Sequence, residues 1–282
     1  MNKSLSRRLI FFLSFGYAFL YIPIFILVIY SFNESRLVTV WGGFSTKWYG
    51  ELLKDQGILD AAWMSVRIAF FTAWAATFLG TVAGFVMARF GRFRFHSGFA
   101  STITAPLVMP EVITGLSLLL LFVSMERVLG WPEGRGMLTI WLSHVTFATA
   151  FVAVIVSSRL REMDISIEEA AMDLGAPPLK VFFVITIPII IPALISGWLL
   201  SFTLSMDDLV ITSFVAGPSS TTLPMKVFSS VRMGVSPKIN AVATFIVMFA
   251  TVIVVGSSIF AIRQDKKKYR EMQAAIQENL GQ

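Results

Sequence analysis

Ser166-Ile167-Glu168-Glu169-Ala170-Ala171-Met172-Asp173-Leu174-Gly175-Ala176-Pro177-Pro178-Leu179-Lys180 is a polar island in a largely apolar chain. Ser166 followed three residues later by Glu169 fits a capping box, and Glu168 through Ala171 favour the first turns of a helix. Gly175 can take the left-handed conformation that stops a helix. Pro177-Pro178 then blocks continuation and can open a second short helix. The expectation is a compact helix-turn-helix that exposes its acids and suits docking into a groove of a separate protein.

On both sides of this island the chain is too apolar for water. Of its 282 residues, 56% are hydrophobic and 14% charged, against ~45–50% and ~25% in ordinary soluble domains. Mean hydropathy is +0.75. Apolar stretches at 9–32, 62–88, 99–125, 137–158, 190–216 and 240–262 are each long enough to cross a ~30 Å hydrocarbon core. The fold class expected is therefore all-α, a polytopic membrane protein with six transmembrane helices. Secreted domains, soluble enzymes and nucleic-acid binders are excluded as a main reading.

The net charge of +6 reads as a topology signal rather than as a nucleic-acid surface. The side holding both termini and the 159–189 loop carries 14 Lys and Arg, and the opposite side carries 8. Both termini are thus expected in the cytoplasm. The first span follows Lys3, Arg7 and Arg8, but its apolar core exceeds a signal peptide's ~7–15 residues and no small-residue cleavage site follows, so it is read as uncleaved. Residues 1–263 form one six-helix membrane domain in this reading, with the loop 159–189 on the cytoplasmic side, and 264–282 a charged cytoplasmic tail. With no Cys and two distant His, neither a disulfide nor a local metal motif can be assembled, and none of the nine Lys follows a Gly, so the phosphate-cradling P-loop is missing.

Three carboxylates fall inside apolar spans: Glu111, in Pro106-Leu-Val-Met-Pro110-Glu111, and the pair Asp207-Asp208. An acid at mid-membrane costs about 2.5–3.5 kcal/mol, so each needs a partner, a water-filled path or another reason. With the third span starting near residue 99 and the fifth becoming helical after Pro192, Glu111 lies ~18 Å deep and Asp207 ~21 Å, so all three are expected at a similar level. Successive helical residues point ~100° apart, so one of the pair is expected to line a pathway while the other caps backbone amides or pairs with Arg67. These acids read either as an electronegative station for a cationic solute or as satisfied interhelical groups.

His144 reads as a bridge between two helices or as a proton relay. Trp41, Trp48 and Tyr49 in the outer loop read as interface anchors or as cation–π contacts for a passing ammonium. Gly80 and Gly84 form a Gly-x-x-x-Gly that admits a close helix neighbour.

At the polar island the chain resembles the MetI-like permease subunits of type I ATP-binding-cassette importers. Their signature is Glu-Ala-Ala, three residues, Gly, nine residues, then Ile-x-Leu-Pro. Glu169-Ala170-Ala171, Gly175, Ile185 and Pro188 match it, with Ile187 where Leu is usual. Further segments, among them Tyr30-Ser31-Phe32-Asn33-Glu34-Ser35, Lys47-Trp48-Tyr49, Ser143-His144-Val-Thr146-Phe147 and Ser213-Phe214-Val-Ala-Gly217-Pro218, look like the second membrane subunit of polyamine importers, the putrescine branch most of all. The resemblance implies an inner-membrane subunit of an ATP-driven importer, paired with a second permease, two ATP-binding subunits and a periplasmic polyamine-binding protein. It implies no cofactor on this chain, since ATP and Mg²⁺ are bound by the partner ATPase, and it assigns Glu168, Glu169, Ala170, Ala171 and Gly175 to the coupling loop. The rivals are the same machine carrying spermidine or another cation, and an ion-gradient-driven secondary transporter.

Overall fold

The computed structural model describes residues 3–36, 40–91, 94–234, 237–248 and 251–252. They are helical throughout, apart from connections and one isolated bridge between Asn33 and Phe44. The chain packs as two units, residues 56–229 and residues 1–55 with 230–282.

The larger unit is built on three long helices: α3 (Gln56–Arg89), α6 (Met137–Glu162) and α9 (Ile187–Asp207). Small residues bring α3 and α6 together. A Cβ on Gly80 would lie 2.5 Å from the Val152 Cβ, and one on Gly84 would lie 2.7 Å from the Ala153 carbonyl oxygen. The Gly-x-x-x-Gly motif therefore acts inside this chain. Ala76, Ala148, Val152, Val156, Leu160 and Ile190 form the core that follows from this approach. Gly84→Leu would have to push the α6 backbone away. It is expected to destabilise the unit by about 1–3 kcal/mol, seen as a lower thermal midpoint of the detergent-solubilised assembly. An unchanged midpoint would mean that the helices can part without loss.

Two of the expected spans are broken, and proline chemistry explains the first break. The stretch expected as one helix over 99–125 is α4 (His96–Val108) followed by α5 (Glu111–Leu129). Pro110 disfavours the helical conformation at the preceding residue, and Met109 is extended at φ −77°, ψ 135°. The stretch expected over 190–216 begins earlier, at α8 (Pro178–Val181), runs through a π-turn over Phe182–Thr186 into α9, and stops at Asp207. Pro188 has no N–H and its ring would press on the carbonyl of Val184, and the wider turn lies at that carbonyl. After Asp208, extended at ψ 124°, α10 (Val210–Val215) resumes.

In the smaller unit α1 (Lys3–Ser31) shows exposed apolar side chains along most of its length from Leu9 on, as a helix covered by lipid or another subunit would. The short helix α2 (Lys47–Leu52), in the loop after α1, and α12 (Pro237–Met248) belong here too, the latter overlapping the start of the sixth expected span. The rest of that span, apart from 251–252, and the 264–282 tail lie outside the described residues. Between the units in sequence, α11 (Leu223–Arg232) is a helix that apolar periodicity did not reveal. Among the described residues five helices, α1 from Leu9, α3, α5, α6 and the run Pro178–Asp207, are long and apolar enough to cross a membrane, with α12 a shorter sixth.

Candidate functional site

The two helix breaks lie next to one another. α5 and α10 pack side by side, and a Cβ on Gly115 would stand 3.2 Å from the Ile211 Cα and 2.7 Å from the Phe214 ring. Below this contact Ile68, Phe122, Ile140, Ile211 and Val215 form a second core. Successive passes alternate in direction, so α4–α5 and α8–α10 run the same way, with α3 and α6 opposed. Glu111 stands four residues before Gly115, and Asp207 four before Ile211. Each acid thus stands one helical turn before a residue of the α5–α10 contact.

Asp207 and Asp208 have different surroundings. Asp208 is turned inward, with its side chain 9% exposed. Its Oδ2 accepts from the Thr212 N–H at 2.7 Å and the Thr212 hydroxyl at 2.6 Å, and its Oδ1 accepts from the Ile211 N–H at 3.3 Å. It is the N-terminal cap of α10. Arg67 takes no part, being exposed and without an ion pair among the described residues. Asp207 and Glu111 are exposed and likewise have no ion-pair partner among the described residues.

His144 fixes the break from the α6 side. Its Nδ1 lies 2.7 Å from Ser205 Oγ at the end of α9, and its Nε2 lies 3.2 Å from Asp208 Oδ2 and 3.0 Å from Thr212 Oγ1. A neutral ring satisfies these atoms when Ser205 donates to Nδ1 and Nε2–H donates toward Asp208 and Thr212. The ring thus bridges α6 to both α9 and α10. Ser205 and Thr212 carried no signal in the sequence, since isolated hydroxyls in apolar helices usually bond their own backbone.

The acids and the dipoles suit a cation. α4 and α9 end at the breaks, so their last carbonyls point toward this level and carry partial negative charge. An exposed carboxylate at mid-membrane is too costly to leave facing lipid, which leaves a solvated path or another subunit as its neighbour.

On the opposite end, α7 (Ser166–Asp173) leads into α8. Gly175 has φ +85°, its N–H donates to the Met172 carbonyl and the Ala176 N–H to the Ala171 carbonyl, so the expected left-handed stop is present. The expected capping box is not. Ser166 is the first helical residue, and its N–H donates to Asp164 Oδ1 at 3.0 Å, which holds the Asp164 carboxyl below the usual carboxylate range.

The expectation of two exposed acids is corrected for Glu168. It is 7% exposed, accepting from Arg89 Nε at 2.8 Å and from the Thr186 hydroxyl at 2.7 Å, while Glu169 and Ala170 are exposed and Ala171 half-buried. The i, i+1 geometry of a helix turns one acid in and its neighbour out.

In the loop that follows α1, Trp48 is 4% exposed, its indole N–H donating to the Asn33 carbonyl at 2.6 Å and its face covered by Lys47 Nζ at 4.8 Å. Tyr49 bonds Ser31 Oγ at 2.7 Å through its hydroxyl and packs on Phe32. Both rings are occupied in holding this loop, while Trp41 is exposed and meets Tyr30 edge-on at 6.0 Å. Among the described residues there is no group of three or more His, Cys, Asp or Glu able to hold a metal.

Residues 80–268 match the family model described as binding-protein-dependent transport system inner membrane component. The chain is 64% identical over 260 residues to the putrescine transport system permease protein PotI of Escherichia coli K12, covering 92% of each. It is 42% identical over 252 residues to the spermidine/putrescine transport system permease protein PotC of the same strain, covering 89% of this chain and 92% of that one. Among solved structures, a chain of a bacterial ABC transporter involved in the import of the acidic polysaccharide alginate aligns with TM-score 0.69 over 92% of this chain and 97% of its own, at 16% identity.

Proposed function

The chain belongs to the inner-membrane components of binding-protein-dependent transport systems, and on that premise we propose that it is the permease subunit of an ATP-driven importer whose cargo is putrescine. The observation that carries the choice of cargo is 64% identity along 92% of both chains with a permease named for putrescine. The chemistry agrees: a diamine is a dication at neutral pH, and fixed carboxylates can replace part of its hydration.

In the mechanism that follows, a second permease completes the pathway, two ATP-binding subunits dock at the loop around Glu169, and a periplasmic binding protein delivers the diamine. Both termini lie in the cytoplasm, on the side where Lys and Arg are in excess. Closure of the ATPases rocks the spans, so the level of Glu111 and Asp207 opens to one side and then the other. The chain performs no covalent chemistry. Glu111 and Asp207 hold the ammonium groups, and Asp208 keeps the helix broken beside them.

The test is uptake of labelled putrescine into proteoliposomes carrying the whole assembly, with ATP inside or outside and with unlabelled spermidine as competitor. ATP-dependent uptake that spermidine competes with weakly is the expected result. Equal competition would shift the cargo to spermidine and putrescine together, and uptake on an ion gradient without ATP would overturn the importer reading.

A further inference from the structure

The Glu168 carboxylate is buried against Arg89 rather than offered to the surface as Glu169 is. It joins three separate elements at the cytoplasmic end. Arg89 is the last residue of α3, Glu168 lies in the first turn of α7, and Thr186 is the last residue of the π-turn that leads into α9. Glu168 spends one carboxylate oxygen on each neighbour, at 2.8 Å to Arg89 Nε and 2.7 Å to Thr186 Oγ1. The side chains of Arg89 and Glu168 are only 11% and 9% exposed.

The surroundings tie the same elements together and leave them room. Phe85 of α3 meets Phe182 of the π-turn edge-on at 4.9 Å. Beside the contact lies a cavity of about 220 Å³, lined among others by Phe85, Met172, Val181 and Phe182. Arg89 Nη2 is buried with no hydrogen-bond partner among the described residues, so the guanidinium is not fully satisfied in this arrangement. A π-turn is a recurrent place for a helix to bend, and this one sits between the loop and the span that ends at Asp207.

We propose that Arg89, Glu168 and Thr186 form a buried clasp that carries motion of the α7–α8 loop into α3 and α9, with the π-turn as its hinge, making all three positioning residues for transport. A buried charge cannot leave its partner without a large desolvation cost, so a push on α7 moves the ends of both spans with it. The cavity gives that motion somewhere to go. The inference rests on the reading of the loop as the ATPase docking element and adds how its motion reaches the membrane.

The experiment measures ATP hydrolysed per putrescine imported, in the full reconstituted assembly, for wild type, Glu168→Gln, Arg89→Lys and Glu169→Ala. Glu168→Gln keeps the shape and the hydrogen-bonding capacity toward Thr186 but removes the ion pair. The expected result is an intact complex with ATPase activity close to wild type and uptake per ATP lowered about tenfold. Arg89→Lys keeps the charge and loses the fork, and its expected fall is about threefold. An unchanged ratio in an assembled Glu168→Gln complex overturns the proposal. If that variant does not assemble, the ratio in Arg89→Lys decides in the same way, and loss of assembly in both would reduce the clasp to a structural contact and overturn it. Glu169→Ala separates the two readings: loss of bound ATPase there supports docking at the exposed acid, and a neutral result counts against docking while the Glu168 ratio still decides the clasp.

Discussion

Neutralising Glu111 and Asp207 together, as Glu111→Gln/Asp207→Asn, is expected to lower ATP-dependent putrescine uptake by at least ~100-fold while leaving assembly and thermal stability near wild type. A hydrogen bond to a charged group contributes about 1.5–3 kcal/mol net, or roughly 10- to 100-fold for each carboxylate that meets an ammonium. Both acids are exposed and have no ion-pair partner among the described residues, so removing their charge leaves no buried group stranded. Each single change is expected to lose about tenfold or more, mainly in uptake at low putrescine concentration. Basal ATP hydrolysis should not follow, since the loop at the other end is untouched. Uptake within twofold of wild type in the double variant would remove both residues from the pathway.

Much of the fold was legible because it rests on composition. Apolar runs longer than a bilayer is thick have few alternatives, and Gly80-x-x-x-Gly84 announced the α3–α6 approach through the absence of side chains. The breaks were only half legible. Pro106 and Pro110 were visible, but a proline can kink a helix or end it, and only its neighbours decide which. The π-turn carried no signal, because it answers a clash between Pro188 and a carbonyl one turn earlier.

At the site, residue type was readable and direction was not. Adjacent acids on a helix must diverge, which fixed that Asp207 and Asp208 differ without saying which one turns inward. The same rule applied to Glu168 and Glu169 would have shown that both could not be exposed to one partner. Arg89 was counted as a cation marking the cytoplasmic side. Its contact with Glu168 spans 79 residues of sequence, and no local pattern carries a pair so distant.

Asp208→Ala is expected to do the opposite of Asp207→Asn: by losing a helix cap and leaving buried donors unmade it should destabilise the protein by about 2–4 kcal/mol and remove transport only as a consequence. The substitution leaves the Ile211 and Thr212 N–H groups without their acceptor and deprives His144 Nε2 of its charged partner. With α10 uncapped, Ile211 and Val215 lose their fixed place in the core they share with Ile68, Phe122 and Ile140. Asp208→Asn keeps a carbonyl oxygen where Oδ2 accepts from Thr212 and should cost less, about 1–3 kcal/mol, because only the oxygen that accepts from the Ile211 N–H is replaced by an –NH2 that cannot accept. Thermal unfolding of the purified assembly, with His144→Ala and the double variant included, checks this. Since His144 and Asp208 act on one another, their combined loss should be smaller than the sum of the two. Full additivity would mean the ring and the carboxylate are independent. A wild-type midpoint for Asp208→Ala with transport lost would move Asp208 from the scaffold of the break to the pathway itself.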